Sequence, residues 1–163
     1  MQFLRTSGRL AVISMMACGG AHPPPPVQVA PARPAPRVQL AVIPAESDAF
    51  PRAAAAVSES LAAASVRGVD EKRVSKVSLE VVQLSIECVE QTPACYEAIG
   101  RSLSANRLLF ARIDRGAAKR QVKLTVTLFD VDARRTTRTQ NKAFASDAAA
   151  AAGAAALVTE VVQ

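Results

Sequence analysis

No tryptophan occurs in the 163 residues, and there is one tyrosine and one histidine. The histidine, His22, stands among prolines, so the chain from Val38 onward holds none. That removes the usual general base and the commonest metal ligand from any folded part. Two cysteines, Cys88 and Cys95, fall in that stretch, short of the roughly four ligands of a closed zinc site. No G-x-S-x-G, S-x-x-K or glycine-rich phosphate loop occurs either. Glu80, Glu87, Glu90 and Glu97 read better as solvated helix faces than as paired catalytic acids. The expectation is a non-enzymatic chain with no metal, no cofactor and no small-molecule substrate. Five phenylalanines and one tyrosine are too few to offer stacking platforms for nucleic acid. No apolar run reaches the roughly 20 residues of a membrane span. The nearest, "AAAAAGAAALV" between Asp147 and Glu160, is short and built of weakly hydrophobic alanine.

What is present is concentrated at the N-terminus. Arg5 and Arg9 precede the short apolar run "LAVISMMA" (10–17), which has the parts of an export signal. The stretch "MMAC" that follows resembles the lipobox of bacterial lipoproteins. In that family the cysteine becomes the new N-terminus and carries lipid, which here assigns lipidation by palmitate and related acyl chains to Cys18. Ala17 and Gly19 fit the family's small flanking residues; Met15 stands where leucine is usual. The rival reading makes Cys18 part of an ordinary signal peptide or tail. Several acyl chains, at about 0.8 kcal/mol per buried methylene, would hold the protein on a membrane. Nothing acidic follows Cys18, so the resemblance to Gram-negative lipoproteins implies the periplasmic face of the outer membrane. Loss of residues 1–17 lowers the formal charge from +6 to +4.

Residues 18–37 form the next unit. "HPPPPVQVAPARPAPR" (22–37) carries seven prolines, which fix φ and push their predecessors to extended conformations. From Gly19 to Arg37 a polyproline II tether of ~55 Å is expected at about 3.1 Å per residue. The alternative, a ligand for an SH3-like groove, needs a partner seldom found in a bacterial periplasm.

Residues 38–163 read as one domain. "VQLAVIPA" (38–45) is a continuous apolar run expected to be a buried strand. Asp48 as cap and Pro51 in the first turn start a helix, with Ala54, Val57, Leu61 and Ala64 on one face and Gly68 as its stop. "KRVSKV" (72–77) reads as a short strand. "SLEVVQLSIEC" (78–88) satisfies both strand and helix spacing; Ser78 as cap and Glu80 in the first turn favour helix. A further helix is expected from Pro93 to Ser104, with Thr92 as cap and Tyr96, Ile99 and Leu103 along a face. Strands follow over 106–113, 121–130 and 136–144, the middle one alternating cleanly and the last polar and basic, as suits an edge. Ser146 caps a last helix with Ala150, Ala154, Leu157 and Val161 on one face. The fold class is α/β (α+β): a single mixed sheet of about five strands with helices covering a face, in the order β-α-β-α-α-β-β-β-α.

That order, opened by "LAVIPA" and with "LSANRLLFARI" (103–113) leading into the strand meander, resembles the N-terminal domain of TolB and the CsgG-like lipoprotein domains. Lipid, tether and small domain together look like the layout of LpoB-type activators of penicillin-binding proteins. The resemblance implies an adaptor that binds an envelope protein or peptidoglycan. Its alternatives are a secretion-pore subunit of the CsgG type and a regulatory subunit of a peptidoglycan synthase.

Two further features bear on function. Cys88 and Cys95 flank a helix–helix turn, where a corner brings Cα atoms within disulfide range; an oxidising compartment favours a structural bridge over a metal or redox pair. Charge is segregated as well. Residues 38–97 hold five basic and nine acidic side chains, whereas residues 98–145 hold eleven basic and three acidic. Arg112, Arg115, Lys119, Arg120, Lys123, Arg134, Arg135, Arg138 and Lys142 are therefore the candidate surface for an anionic partner, and export excludes nucleic acid as that partner. The competing reading is a solvated edge that resists aggregation.

Overall fold

A computed structural model describes residues 37–88 and 90–163. The expected leader, Cys18 and the proline tether up to residue 36 lie outside the described residues. The elements follow the expected order: β1 (Gln39–Ile43), α1 (Pro51–Ala63), β2 (Glu71–Val74), α2 (Leu79–Ser85), α3 (Pro93–Ser102), β3 (Arg107–Arg115), β4 (Val122–Asp130), β5 (Arg135–Phe144) and α4 (Asp147–Val162). The strands form one mixed sheet in the order β2-β1-β3-β4-β5. β1 runs parallel to β2 and β3, which requires the helical crossovers α1 and α2–α3. β3, β4 and β5 pair antiparallel through short turns.

Side-chain alternation divides the core into two layers. Leu40 and Val42 of β1, Leu109 and Ala111 of β3, and Val122, Leu124, Val126 and Leu128 of β4 are buried on the side of α1 and α4. Ala41, Ile43, Leu108, Phe110, Phe129 and Val131 point the other way, under Leu79, Val82, Cys95 and Ile99 of α2 and α3. Helices therefore cover both faces of the sheet, not the single face expected. The reason is visible in Leu40 to Ile43 of β1 and Leu108 to Ala111 of β3, apolar at every position because both faces are buried there. The α2–α3 layer stops short, and beyond Phe110 and Phe129 that face turns polar.

The helix ends depart from expectation in three places. Asp48 does not cap α1; its cap position is Phe50, with no side-chain bond. Asp147 supplies the cap from the far end of the chain, accepting from the backbone N–H of Arg52 at 3.2 Å and of Ala53 at 2.8 Å. Gly68 does not stop α1, which ends at Ala63; it adopts φ 73° in the turn before β2. Ser78 has the extended backbone of a cap for α2, yet its hydroxyl makes no capping bond and is buried with no partner. Thr92 and Ser146 do cap α3 and α4, through the N–H groups of Cys95 and Ala149.

Because one carboxylate satisfies two otherwise orphaned donors of α1, Asp147→Ala should cost about 1–2 kcal/mol. Thermal unfolding of the two proteins measures this, and Asp147→Asn should keep part of the loss, since one amide oxygen can still accept. An unchanged midpoint for the alanine variant would contradict the assignment.

Candidate functional site

The nine candidate basic residues fall in four places. Arg112 on β3 and Lys123 on β4 lie on the polar part of the α2–α3 face, where register sets Arg112 opposite Thr125 and Asp114 opposite Lys123. Arg134, in the β4–β5 turn, reaches toward α3 and meets Glu97 at 2.7 Å. Arg135, Arg138 and Lys142 line β5, which is an edge strand and solvent-exposed along its length until Phe144. On the register of β4, Arg138 and Lys142 share the side of Leu128 and Leu124, the side of α4. Lys142 Nζ sits over the Phe144 ring, 5.6 Å from its centroid. Arg115, Lys119 and Arg120 gather at the β3–β4 hairpin.

Pairing separates these groups further. Arg112 contacts Asp114 at 3.4 Å, and Glu97 is shared between Arg134 and Arg101 of its own helix. Among the described residues, the other seven candidates lie within 4.0 Å of no carboxylate. The charge available to a partner is thus that of the hairpin and of β5, with Lys123 between them.

The hairpin forms one side of a cleft of about 440 Å³, closed opposite by Ala49 and Phe50 ahead of α1. Gln121, not singled out in the sequence, ties the hairpin. Its carbonyl accepts from Gly116 N–H at 2.8 Å, its side-chain oxygen accepts from Ala118 N–H at 3.2 Å, and its own N–H donates to the Ala118 carbonyl at 3.0 Å. A Cβ on Gly116 would collide with the Gln121 side chain, so glycine at 116 permits this closure. No sequence signal beyond the hairpin itself marked Gln121 or Phe50.

Tyr96 is half-buried at the boundary where the α2–α3 layer ends. Its ring packs on Phe110 and Phe129, with centroids 4.9 Å and 5.3 Å away. Burial pushes its phenol above the ordinary value, and the Arg112 guanidinium partly opposes that shift. A raised folded-state value means the native state holds its proton more tightly than the unfolded chain does. The stabilisation is complete below the unfolded value of about 10 and is lost as pH rises beyond it. Denaturant midpoints should therefore fall at alkaline pH, and Tyr96→Phe should flatten that fall. An identical alkaline slope in both proteins would refute the attribution.

Cys88 lies in the α2–α3 connection and Cys95 in the first turn of α3, their sulfurs joined and their Cα atoms 5.7 Å apart. Among the described residues no group of three histidine, cysteine, aspartate or glutamate side chains is arranged to hold a metal ion, and no helix is long and apolar enough to cross a membrane. Among the described residues the large apolar side chains left exposed are Val74, Val77, Val81 and Leu84, of which Leu84 keeps 74% of its surface.

No protein-family model and no curated protein matches the chain. Solved structures do. A PelC dodecamer from Paraburkholderia phytofirmans is 14% identical with a TM-score of 0.42, over 78% of this chain and 90% of that one. The LpoB C-terminal domain from Salmonella enterica is 14% identical with a TM-score of 0.40, over 66% and 82%. Lipoprotein GNA1162 from Neisseria meningitidis is 13% identical with a TM-score of 0.41, over 65% and 81%. These are likenesses of shape at low identity.

Proposed function

We propose that the chain is a lipid-anchored envelope protein whose domain is a binding module for an envelope partner and does no chemistry of its own. One observation carries this reading: the order of Arg5 and Arg9, the apolar run 10–17, Cys18, seven prolines, and then a folded domain that opens at once with β1. Each part has a physical task in that order. Lipid on Cys18 holds the protein at the periplasmic face of the outer membrane, the prolines hold the domain away from it, and the domain presents its charged hairpin and edge. The Cys88–Cys95 bridge suits an oxidising compartment. The strand order and the "LSANRLLFARI" stretch support a TolB- or CsgG-like reading of the domain, and the layout supports an adaptor of the LpoB type acting on a peptidoglycan synthase or on peptidoglycan itself.

Palmitate labelling in cells tests the anchor. The wild type should incorporate label and sediment with membranes, and Cys18→Ala should lose both the label and the sedimentation. An unlabelled wild type recovered intact from the cytosol would end the proposal. Crosslinking in cells should recover an envelope protein or sacculi; rings of the purified protein in detergent would instead point to a pore subunit.

A further inference from the structure

We infer that the cleft between the β3–β4 hairpin and Phe50 is a binding site for a phosphomonoester group. Three cationic residues line it, Arg115, Lys119 and Arg120, and no acidic residue does. A single carboxylate is satisfied by one guanidinium; two guanidinium forks and an ammonium around one cleft match a group that carries more than one negative charge. The volume of about 440 Å³ accommodates a phosphoryl group together with a small sugar or glycerol body. Phe50 supplies an apolar wall for that body.

The backbone at Arg120 points the same way. Arg120 holds φ 69°, a left-handed conformation that glycine adopts freely and an arginine does not. Arg134 occupies a similar position at φ 52°, and there the side chain is engaged by Glu97. Among the described residues no carboxylate lies within 4.0 Å of Arg120, whose backbone stands in the hairpin that Gln121 ties. An arginine kept in a conformation that favours glycine, lining a cleft and with no carboxylate partner, is explained by a ligand that supplies the match. The nearby N-terminus of α1 does not serve this role, because Asp147 already takes the N–H groups of Arg52 and Ala53.

This inference deepens the binding-module reading and rests on it only for where the ligand is met, in the envelope. A phosphomonoester is met there either as a lipid headgroup or on a soluble sugar. The test uses the full chain carrying Cys18→Ala, so that acylation contributes nothing to binding. Its amide resonances are followed on titration with N-acetylglucosamine 6-phosphate, with N-acetylglucosamine as control, and its sedimentation is followed with phosphatidylcholine vesicles with and without phosphatidic acid. We expect saturable shifts at Gly116 to Gln121 with the phosphorylated sugar, sedimentation that depends on phosphatidic acid, or both; the pattern tells the soluble from the lipid source. Arg115→Gln/Lys119→Gln/Arg120→Gln should weaken binding at least tenfold, and Arg138→Gln/Lys142→Gln by less than twofold. Absence of both the hairpin shifts and the phosphatidic-acid-dependent sedimentation, or equal loss in both variants, would overturn the site. Neither result bears on palmitate labelling of Cys18, so failure of the site and failure of the anchor remain separable.

Discussion

Phe110→Ala is expected to cost about 3–5 kcal/mol, a large part of the 5–15 kcal/mol that holds a typical domain together. Phe110 sits mid-strand in β3, the central strand, and is 1% exposed. Its ring faces α2 and α3 and meets Tyr96 with centroids 4.9 Å apart. Truncation leaves a cavity that the strands cannot collapse, because β1 and β4 fix β3 on both sides. It also frees Tyr96, whose remaining aromatic neighbour is Phe129. A fall in thermal midpoint of roughly 10–20 °C follows from the size of the domain. Phe110→Leu should recover much of this, being smaller by only part of the ring. An alanine variant that melts within a few degrees of the wild type would show that the α2–α3 layer contributes little to stability.

The architecture was legible because the apolar pattern and the strand order speak directly. β4 alternates in sequence from Val122 to Leu128, β1 is apolar from Leu40 to Ile43, and β5 is polar and basic as an edge strand is. The two-fold reading of residues 78–88 resolved to the shorter helix Leu79–Ser85, where Leu79, Val82 and Gln83 face inward. What escaped were relations between distant residues. Nothing local marks Asp147 as the cap of a helix that begins 96 positions earlier at Pro51, since that contact exists only once α1 and α4 lie side by side. Gly100 looks like a weak point in α3 until the sheet brings Val131 against it, leaving no room for a Cβ. The candidate site shows the same division. Composition identified the basic half, but only the pairing of Arg112 and Arg134 with carboxylates, and the closure of the hairpin by Gln121, separate charges that are spoken for from those that face a cleft.

Opening the Cys88–Cys95 bridge should destabilise the domain by about 2.5 kcal/mol, the chain-entropy value for a loop of this length. The Cα separation of 5.7 Å lies within the usual range for a disulfide, so the backbone requires no rearrangement to close it. The consequence should be uneven across the fold. α2 has seven residues, too few to persist alone, and its outward side chains Val81 and Leu84 are exposed. It is held by Leu79 and Val82 on one side and by the bridge to α3 on the other. Reductant should therefore lower the denaturant midpoint of the oxidised protein and raise amide exchange in α2 ahead of β3 and β4. The Cys88→Ser/Cys95→Ala variant should start at the lower midpoint and ignore reductant, which distinguishes the covalent tie from the burial of Cys95. Two alkylatable thiols in protein recovered from the envelope would refute the bridge, and with it the oxidising surroundings on which its contribution depends.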